Sequence, residues 1–361
     1  MKRILSMALS AGLILTTVLT GCSSATDATD NSSSEEKQVL KLFNWGEYIG
    51  ENTVSAFEEQ FNCKVICEYF DSNEMMYTKV QAGDCYDVLI PSDYMIERMI
   101  SEDLLQPIDL SKVPNMEYLS DGVKNLAFDP TNEYSVPYLW GNVGLIYNKN
   151  NVPTELIEEQ GYSILQNTDY VGKIYMYDSE RDAFMLALKA LGYSSNTEND
   201  AEINEAYEWL KQVNDTMDPV YVTDEVIDGM LNENKDIGVV YSGDAAYVIS
   251  ENENLSFTIP KEGSNLWCDC MVIPKNAENP DLAHEFINFA LSYDAALDIS
   301  ETVGYTSANK DVMAAMSAED GTYFENPAYI PRENYELDEV FVDNETLRQK
   351  LSELWIKVKA Q

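Results

Sequence analysis

The fold is decided by residues 39–94, which read VLKLFNWGEYIGENTVSAFEEQFNCKVICEYFDSNEMMYTKVQAGDCYDVLIPSDY. Apolar residues over 39–43, 64–70 and 86–90 indicate three strands. The spacing of the apolar residues between them predicts helices over 51–62 and 73–82, and the following Gly83 is typical of a helix end. This strand–helix–strand–helix–strand order predicts a parallel sheet with helices on its faces.

Three loops follow the carboxyl ends of these strands, where ligands bind in such sheets. They span residues 44–50, 71–74 and 91–94. The first loop carries Trp45 and Tyr48, and the third carries Ser92 and Tyr94. We therefore expect these aromatic and polar side chains to face a common cleft.

A second α/β block follows, with strands predicted over 173–177, 237–241 and 266–274. Helices are predicted over 181–191, 201–213, 280–291 and 345–359. About 320 residues form the folded body, which exceeds one average core and favours two lobes.

The N-terminus has the layout of an export signal. Lys2 and Arg3 precede an apolar run over 4–20, which ends in Leu19-Thr-Gly-Cys22. Cys22 resembles the lipidated cysteine of bacterial lipoproteins, so residues 1–22 are interpreted as a signal peptide with a lipobox. A transmembrane anchor is the alternative, although a run of ~17 residues is short for one. The polar residues 23–38 are expected to form a flexible tether.

The chain is strongly acidic, with 63 Asp and Glu against 23 Lys and Arg and a formal net charge of -40. Such a surface repels nucleic acid and attracts cations. An acidic surface also keeps exported proteins soluble, so the charge permits a cationic ligand without identifying one.

Catalytic and metal-binding motifs are absent from the sequence. It contains no phosphate-binding loop, dinucleotide fingerprint or nucleophile elbow. Its one histidine, His284, lies in a predicted helix and is expected to be structural. Besides Cys22 there are five cysteines, at 63, 67, 85, 268 and 270. We expect them to be buried thiols, with a disulfide left open, and we expect no metal and no cofactor.

Seven segments, taken together and in order, resemble the polyamine-binding proteins of bacterial ABC importers, the spermidine/putrescine-binding family. They are FNWGEY (43–48), YFDSNE (69–74), DVLIPSDY (87–94), YLWG (138–141), PKEG (260–263), LWCD (266–269) and VGY (303–305). The resemblance implies a two-lobed, type II periplasmic-binding-protein fold, in which each lobe is a mixed sheet flanked by helices and the ligand lies between them. It implies an N-terminal lobe of residues 39–141 plus 268–307 and a C-terminal lobe of 142–267 plus 308–361.

The resemblance also implies a set of ligand-binding positions. These are Trp45, Tyr48, Ser92, Tyr94, Tyr241, Trp267, Asp269 and Tyr305, with Asp182 receiving a terminal amine. Such residues suit a polyamine, because its ammonium groups favour carboxylates and aromatic faces. Strand alternation independently places Trp267 and Asp269 on one face, with Cys268 and Cys270 on the other.

Two positions depart from the spermidine-type pattern. Ser179 stands where that pattern has a second acid, and Asp244 stands where the putrescine-type pattern has one. The departures favour putrescine, so Asp244 joins the candidate ligand residues.

The resulting hypothesis is a monomeric, non-enzymatic protein, lipid-anchored outside the cytoplasm, that delivers putrescine or spermidine to an ABC permease. The alternatives are a binding protein of the same fold for a ferric ion, an anion or a sugar, an exported carbohydrate-active enzyme, and a polyamine sensor. Ferric sites favour histidine and anion sites favour arginine, whereas a sugar also suits aromatic walls and carboxylates.

Overall fold

The computed structural model describes residues 37–360. Cys22, the predicted signal peptide and most of the predicted tether lie outside the described residues. The strands of the described part are Val39–Trp45 (β1), Lys64–Phe70 (β2), Val88–Leu89 (β3), Ser135–Asn148 (β4), Ile174–Tyr177 (β5), Val220–Val222 (β6), Ile237–Tyr241 (β7), Leu255–Thr258 (β8), Leu266–Val272 (β9) and Thr306–Ser307 (β10).

The α-helices of the same range alternate with these strands. They are Thr53–Phe61 (α1), Asn73–Ala82 (α2), Asp93–Ser101 (α3), Thr154–Gln160 (α4), Glu180–Ala190 (α5), Asp200–Met217 (α6), Glu225–Leu231 (α7), Ser242–Glu251 (α8), Pro280–Ala290 (α9), Tyr293–Val303 (α10), Lys310–Ser317 (α11) and Glu345–Lys359 (α12). Within residues 37–360, none of the helices has both the length and the apolar character needed to cross a membrane.

The strands follow one hydrogen-bonded path, in the order β2-β1-β3-β9-β4-β7-β5-β6, with β8 and β10 paired to β4. β1 is parallel to both β2 and β3, which confirms the parallel unit predicted from residues 39–90. β9 is antiparallel to β3 and β4. The N-terminal sheet is therefore mixed, as predicted.

Strand β4 lies within this path, between β9 and β7. It is 14 residues long and every residue in it is buried. Residues 135–142 pair with β9, whereas 143–147 pair with β7 and 145–148 pair with β8. The first half of β4 thus pairs with β9, and its second half pairs with β7 and β8.

The apolar core also changes along β4 and β9. Trp140 packs in a cluster with β1, β3 and α9, whereas Val143 packs in a second cluster with β5 and α5. On β9, Trp267 belongs to the second cluster and Cys268 to the first. Both β4 and β9 therefore cross between these two cores, and Ile146 of β4 also packs in a third cluster of the described residues, with α8.

Several predicted elements are shorter in the structure, and for two of them the neighbouring contacts are informative. The first helix begins at Thr53, not at residue 51, because the backbone N–H of Asn52 and the hydroxyl of Thr53 both donate to the carboxylate of Asp298. The third strand covers only 88–89, not 86–90. The Asp87 carboxylate accepts the N–H groups of Lys41 and Asn279, at 2.8 and 2.7 Å, while the backbone N–H of Asp87 still donates to the carbonyl of Lys41.

The structure shows the hydrogen bonds of His284 and the state of the five cysteines. The Nε2 atom of His284 accepts the backbone N–H of Asp109 at 2.9 Å, and its Nδ1 atom lies 2.6 Å from the carbonyl of Pro280. The five cysteines at 63, 67, 85, 268 and 270 are all free thiols, and three of them are buried. Cys268 and Cys270 share the inner face of β9, as the alternation predicted.

An ion pair between a buried lysine and a partly buried glutamate holds the segment before α12 against α5. Glu339 accepts hydrogen bonds from the Nζ of Lys189 at 2.6 Å, from the Ser194 hydroxyl and from the Ser195 N–H. The Lys189 side chain is only 4% exposed. Burial alone would raise the pKa of Glu339, but these three donors outweigh it and lower the pKa.

We expect Lys189→Met to destabilise the protein by about 2–3 kcal/mol at pH 7, because it leaves the Glu339 carboxylate without its cation in a largely buried site. Urea unfolding at constant m measures this loss. Because the lowered pKa of Glu339 stabilises the fold only while the carboxyl is ionised, the deficit should shrink as the pH falls below about 4. Lys149→Met, at an exposed lysine, is the control. Equal unfolding midpoints for Lys189→Met and the wild type would contradict the prediction.

Candidate ligand site

The three loops at the carboxyl ends of β1, β2 and β3 meet, as the sequence predicted. The indole N–H of Trp45 donates to the carbonyl of Ile90 at 2.8 Å. Asn73 connects the other loops, because its Nδ2 atom donates to the hydroxyls of Ser92 and Tyr94 at 3.1 and 3.0 Å. Its Oδ1 atom accepts the Ser92 N–H. Asn73 is a site residue that the sequence analysis missed, although it lies in the predicted loop 71–74.

Asp269 is bound by Tyr48. The Tyr48 hydroxyl donates to Asp269 Oδ2 at 2.8 Å, and Ser92 forms an isolated antiparallel bridge with Asp269. Both Tyr48 and Asp269 are 8% exposed. Burial raises the pKa of Asp269 to about 6, although hydrogen bonds from Ser92 and Tyr48 oppose the rise. This carboxylate therefore lies in a site that disfavours its charge.

Asp182 is bound in the same way by Tyr241. The Tyr241 hydroxyl donates to Asp182 Oδ2 at 2.8 Å, while Oδ1 is buried and has no hydrogen-bond partner. Ser179 caps α5 by accepting the N–H of Asp182, which fixes this carboxylate in the first turn of the helix. Burial raises the pKa of Asp182.

Asp244 forms the third pair, with Tyr305. The Tyr305 hydroxyl donates to Asp244 Oδ1 at 2.8 Å. Burial raises the pKa of Asp244 to about 7. The Tyr305 ring lies directly over Gly243, where any Cβ would overlap the ring. Only glycine at position 243 permits this contact.

Trp267 joins the three pairs into one cluster. Its ring centroid lies 5.3 Å from that of Tyr305 and 6.0 Å from that of Tyr241. Tyr305 lies 5.7 Å from Tyr48, and Tyr241 lies 4.9 Å from Tyr177, which the sequence analysis missed. The Trp267 indole N–H is buried without a hydrogen-bond partner. The structure thus brings together seven of the ten predicted ligand residues, with Trp45, Ser92 and Tyr94 at one side.

The cluster lacks basic partners. None of the ion pairs found in residues 37–360 includes Asp182, Asp244 or Asp269. Arg181 lies nearby, but its guanidinium stacks on the rings of Tyr94 and Phe341, at 4.4 Å from each. The three carboxylates are hydrogen-bonded by neutral phenols, and the charge of Arg181 acts on Asp182 without forming an ion pair with it.

Another buried carboxylate near the cluster, Asp93, lies at the start of α3 and was not predicted. It is 1% exposed and accepts the backbone N–H groups of Tyr94 and Cys268. Burial raises its pKa to about 7. Because both its oxygens bind backbone, we interpret Asp93 as a link between α3 and β9. Although Asp93 directly precedes the predicted ligand residue Tyr94, no local pattern in the sequence indicates this role.

Comparison with known proteins places this site in context. Residues 52–329 match the family described as bacterial extracellular solute-binding protein. The spermidine/putrescine-binding periplasmic protein of Salmonella typhimurium is 33% identical over 82% of this chain and 83% of its own length. A putrescine-binding periplasmic protein of Escherichia coli is 29% identical over 90% of this chain and 92% of its own.

Solved structures resemble the chain over nearly their whole length. A spermidine/putrescine ABC transporter substrate-binding protein of Streptococcus pneumoniae superimposes with a TM-score of 0.79 and 37% identity, over 90% of this chain and 99% of that one. A lipoprotein of Treponema pallidum gives 0.77 and 28%, over 90% and 100%. These likenesses confirm the predicted two-lobed α/β periplasmic-binding-protein fold.

The raised pKa of Asp269 predicts that Asp269→Asn stabilises the fold at high pH and leaves its stability unchanged at low pH. A carboxyl whose pKa is raised by folding binds protons more tightly in the folded state, so it destabilises the fold as the pH rises above about 4. We expect Asp269→Asn to raise the free energy of unfolding of the ligand-free protein by about 1–2 kcal/mol at pH 8. At pH 4 it should have little effect. Urea unfolding at both pH values measures the difference.

Asp169→Asn, at an exposed aspartate, is the matched control and should change stability at neither pH. A ligand-free Asp269→Asn protein that is less stable than the wild type at pH 8 would contradict the prediction.

Proposed function

The chain belongs to the bacterial extracellular solute-binding proteins, and from this membership we propose that it captures a polyamine, putrescine or spermidine, and delivers it to an ABC importer. Proteins of this family bind solutes for ABC transport and are not enzymes. One observation carries the choice of ligand: Asp182, Asp244 and Asp269 lie among aromatic rings without a basic partner. A ligand with several ammonium groups supplies the missing positive charge.

The chemistry of each group fits a polyamine. The free, buried Oδ1 atom of Asp182 can accept a terminal ammonium group, and Asp269 or Asp244 can accept a second. The faces of Trp267 and the surrounding tyrosines suit both the methylene chain and the ammonium groups. The relatives named for spermidine and putrescine support this assignment.

The expected interaction energies are large enough for micromolar binding. Two charge-assisted hydrogen bonds contribute about 1.5–3 kcal/mol each, and two or three cation–π contacts contribute about 0.5–2 kcal/mol each. Micromolar affinity needs about 8 kcal/mol. The site can therefore bind a polyamine at this affinity without a cofactor or a covalent step.

Capture is proposed to occur by lobe closure. The N-terminal lobe, 39–141 plus 268–307, supplies Trp45, Tyr48, Ser92, Tyr94, Asp269 and Tyr305. The C-terminal lobe, 142–267 plus 308–361, supplies Asp182, Tyr241, Asp244 and Trp267. The change of core cluster between Trp267 and Cys268 supports this division. β4 and β9 cross between the lobes and are the natural hinge.

The remaining parts of the proposal concern location. We propose that the protein works as a monomer outside the cytoplasm, anchored to the cell membrane through a lipid on Cys22. Residues 23–38 would then act as a tether that lets the folded body reach the permease.

A neutral sugar is the second candidate for the same fold, because aromatic walls also suit sugars. The structure disfavours it on energetic grounds. A sugar would add further burial to three carboxylates and would bring no charge to compensate them, which is costly. A bound polyamine brings positive charge to the carboxylates and so offsets this cost.

Isothermal titration calorimetry with putrescine and with spermidine tests the proposal directly. We expect wild-type protein without residues 1–36 to bind at least one of them, and Asp182→Asn and Asp269→Asn each to weaken binding at least about tenfold, or about 1.4 kcal/mol. Asp169→Asn should bind as the wild type does. No binding of either polyamine by the wild type would refute the proposed ligand and leave the fold unaffected.

A further inference from the structure

Asn265 is a buried polar residue next to the strand that carries Trp267 and Asp269, and it was not predicted from the sequence. It directly precedes β9, and its backbone forms an isolated β-bridge, so the chain is already extended there. Side chains alternate along an extended chain, which places Asn265 on the same face as Trp267 and Asp269. Leu266 and Cys268, which lie between them, pack against the first core cluster instead. The Asn265 side chain therefore points toward the site.

The Asn265 amide lies beside the Asp182 carboxylate. Burial raises the pKa of Asp182, and Asn265 is near enough to be one of the groups that oppose the rise. Asp182 Oδ2 accepts the Tyr241 hydroxyl. Asp182 Oδ1 and Asn265 Oδ1 are both buried, and neither has a hydrogen-bond partner among the described residues. Two acceptor oxygens, one from α5 and one from the residue before β9, are thus left without a donor.

The backbone of Asn265 supports the fold, whereas its side-chain oxygen does not. Its carbonyl accepts the N–H of Val143 at 3.3 Å and the Nδ2 group of Asn142 at 3.4 Å. The neighbouring Asn142 also uses its own Oδ1 atom, which accepts the N–H of Arg332 at 3.0 Å. A buried amide oxygen without a donor costs stability. Asn265 Oδ1 therefore destabilises the ligand-free protein, and a ligand that donates to it offsets that loss.

A primary ammonium group has the donors that these two oxygens lack. It carries three N–H bonds, as the lysine side chain does. Inside a closed site these donors need acceptors or aromatic faces from the protein. Asp182 offers one free oxygen, because Tyr241 binds the other. A second acceptor is therefore needed beside Asp182, and Asn265 Oδ1 is a buried, unpartnered one.

We propose that Asn265 is a ligand-binding residue, whose Oδ1 atom accepts a hydrogen bond from the same terminal ammonium group that Asp182 binds. The inference rests on the proposed polyamine function and adds a neutral acceptor to it. Asn265 contributes no charge, so it acts through the N–H donors of the ligand and not through its net charge. Because a terminal ammonium is common to putrescine and spermidine, Asn265 contributes to the affinity for both.

Calorimetry on Asn265→Leu and Asn265→Ala tests this inference, with putrescine and with spermidine as ligands. We expect both variants to weaken both polyamines about tenfold, the scale of a hydrogen bond to a charged group. In an Asp182→Asn background, Asn265→Leu should weaken binding only about threefold or less, because the two residues act on one ammonium group. Asn150→Leu, at an exposed asparagine, is the matched control and should bind as the wild type does.

Urea unfolding of the ligand-free proteins separates this role from a structural one. Asn265→Leu should keep or raise the wild-type midpoint, because it removes a buried oxygen that has no donor. Asn142→Leu should lower the midpoint, because it leaves the backbone N–H of Arg332 without its acceptor.

Unchanged affinity of both Asn265 variants would overturn the inference while polyamine binding stands. An undiminished tenfold loss in the Asp182→Asn background would overturn it as well, since the two residues would then act on different groups. So would a midpoint of Asn265→Leu as low as that of Asn142→Leu, which would assign the side chain a structural role. Failure of the wild type to bind any polyamine is a different result, since it removes the proposed function and this inference with it.

Discussion

The burial of carboxylates without a cation is the constraint on which this site depends. Each of the three acids is held by one phenol: Asp269 by Tyr48, Asp182 by Tyr241 and Asp244 by Tyr305. A neutral hydroxyl positions a carboxylate but does not neutralise it, so the cost of burying the charge remains. Under the proposed function the site discriminates by charge, since a bound cation offsets that cost and a neutral ligand does not. The aromatic rings add contact area that suits the methylene chain of such a cation.

The fold makes this arrangement possible by joining residues that are far apart in the chain. Tyr48 and Asp269 are 221 residues apart, and Asp244 and Tyr305 are 61 apart. Tyr48 and Asp269 meet because β9 is inserted between β3 and β4, so a late strand lies beside the carboxyl end of the first parallel unit. The same β9 carries Trp267 in one core and Cys268 in the other. Of the strands that cross between the cores, β9 thus also carries Trp267 and Asp269 of the candidate site.

The sequence predicted much of this structure, for reasons that can be named. The parallel unit over residues 39–90 has clear periodicity, and its strand ends correctly placed Trp45, Tyr48, Ser92 and Tyr94 near one another. The alternation in β9 correctly separated Trp267 and Asp269 from the two cysteines. The ligand roles came from ordered segments that resemble a family, and they stay predictions here.

Other features depend on three-dimensional contacts that no local pattern contains. The roles of Asn73 and Asp93 come from loops and backbone groups of other strands. Tyr177 ends a predicted strand, and only the register of β5 beside β7 brings it to Tyr241. The start of α1 is set by Asp298, which lies 246 residues from Asn52.

The measurement that tests the central claim most directly is a crystal structure of the protein crystallised with putrescine. If buried, uncompensated carboxylates select the ligand, the two ammonium nitrogens will lie within about 2.7–3.2 Å of carboxylate oxygens. One will be on Asp182, the other on Asp269 or Asp244, and the methylenes will lie against Trp267. A cleft without putrescine, or putrescine bound with these three carboxylates untouched, would contradict the claim.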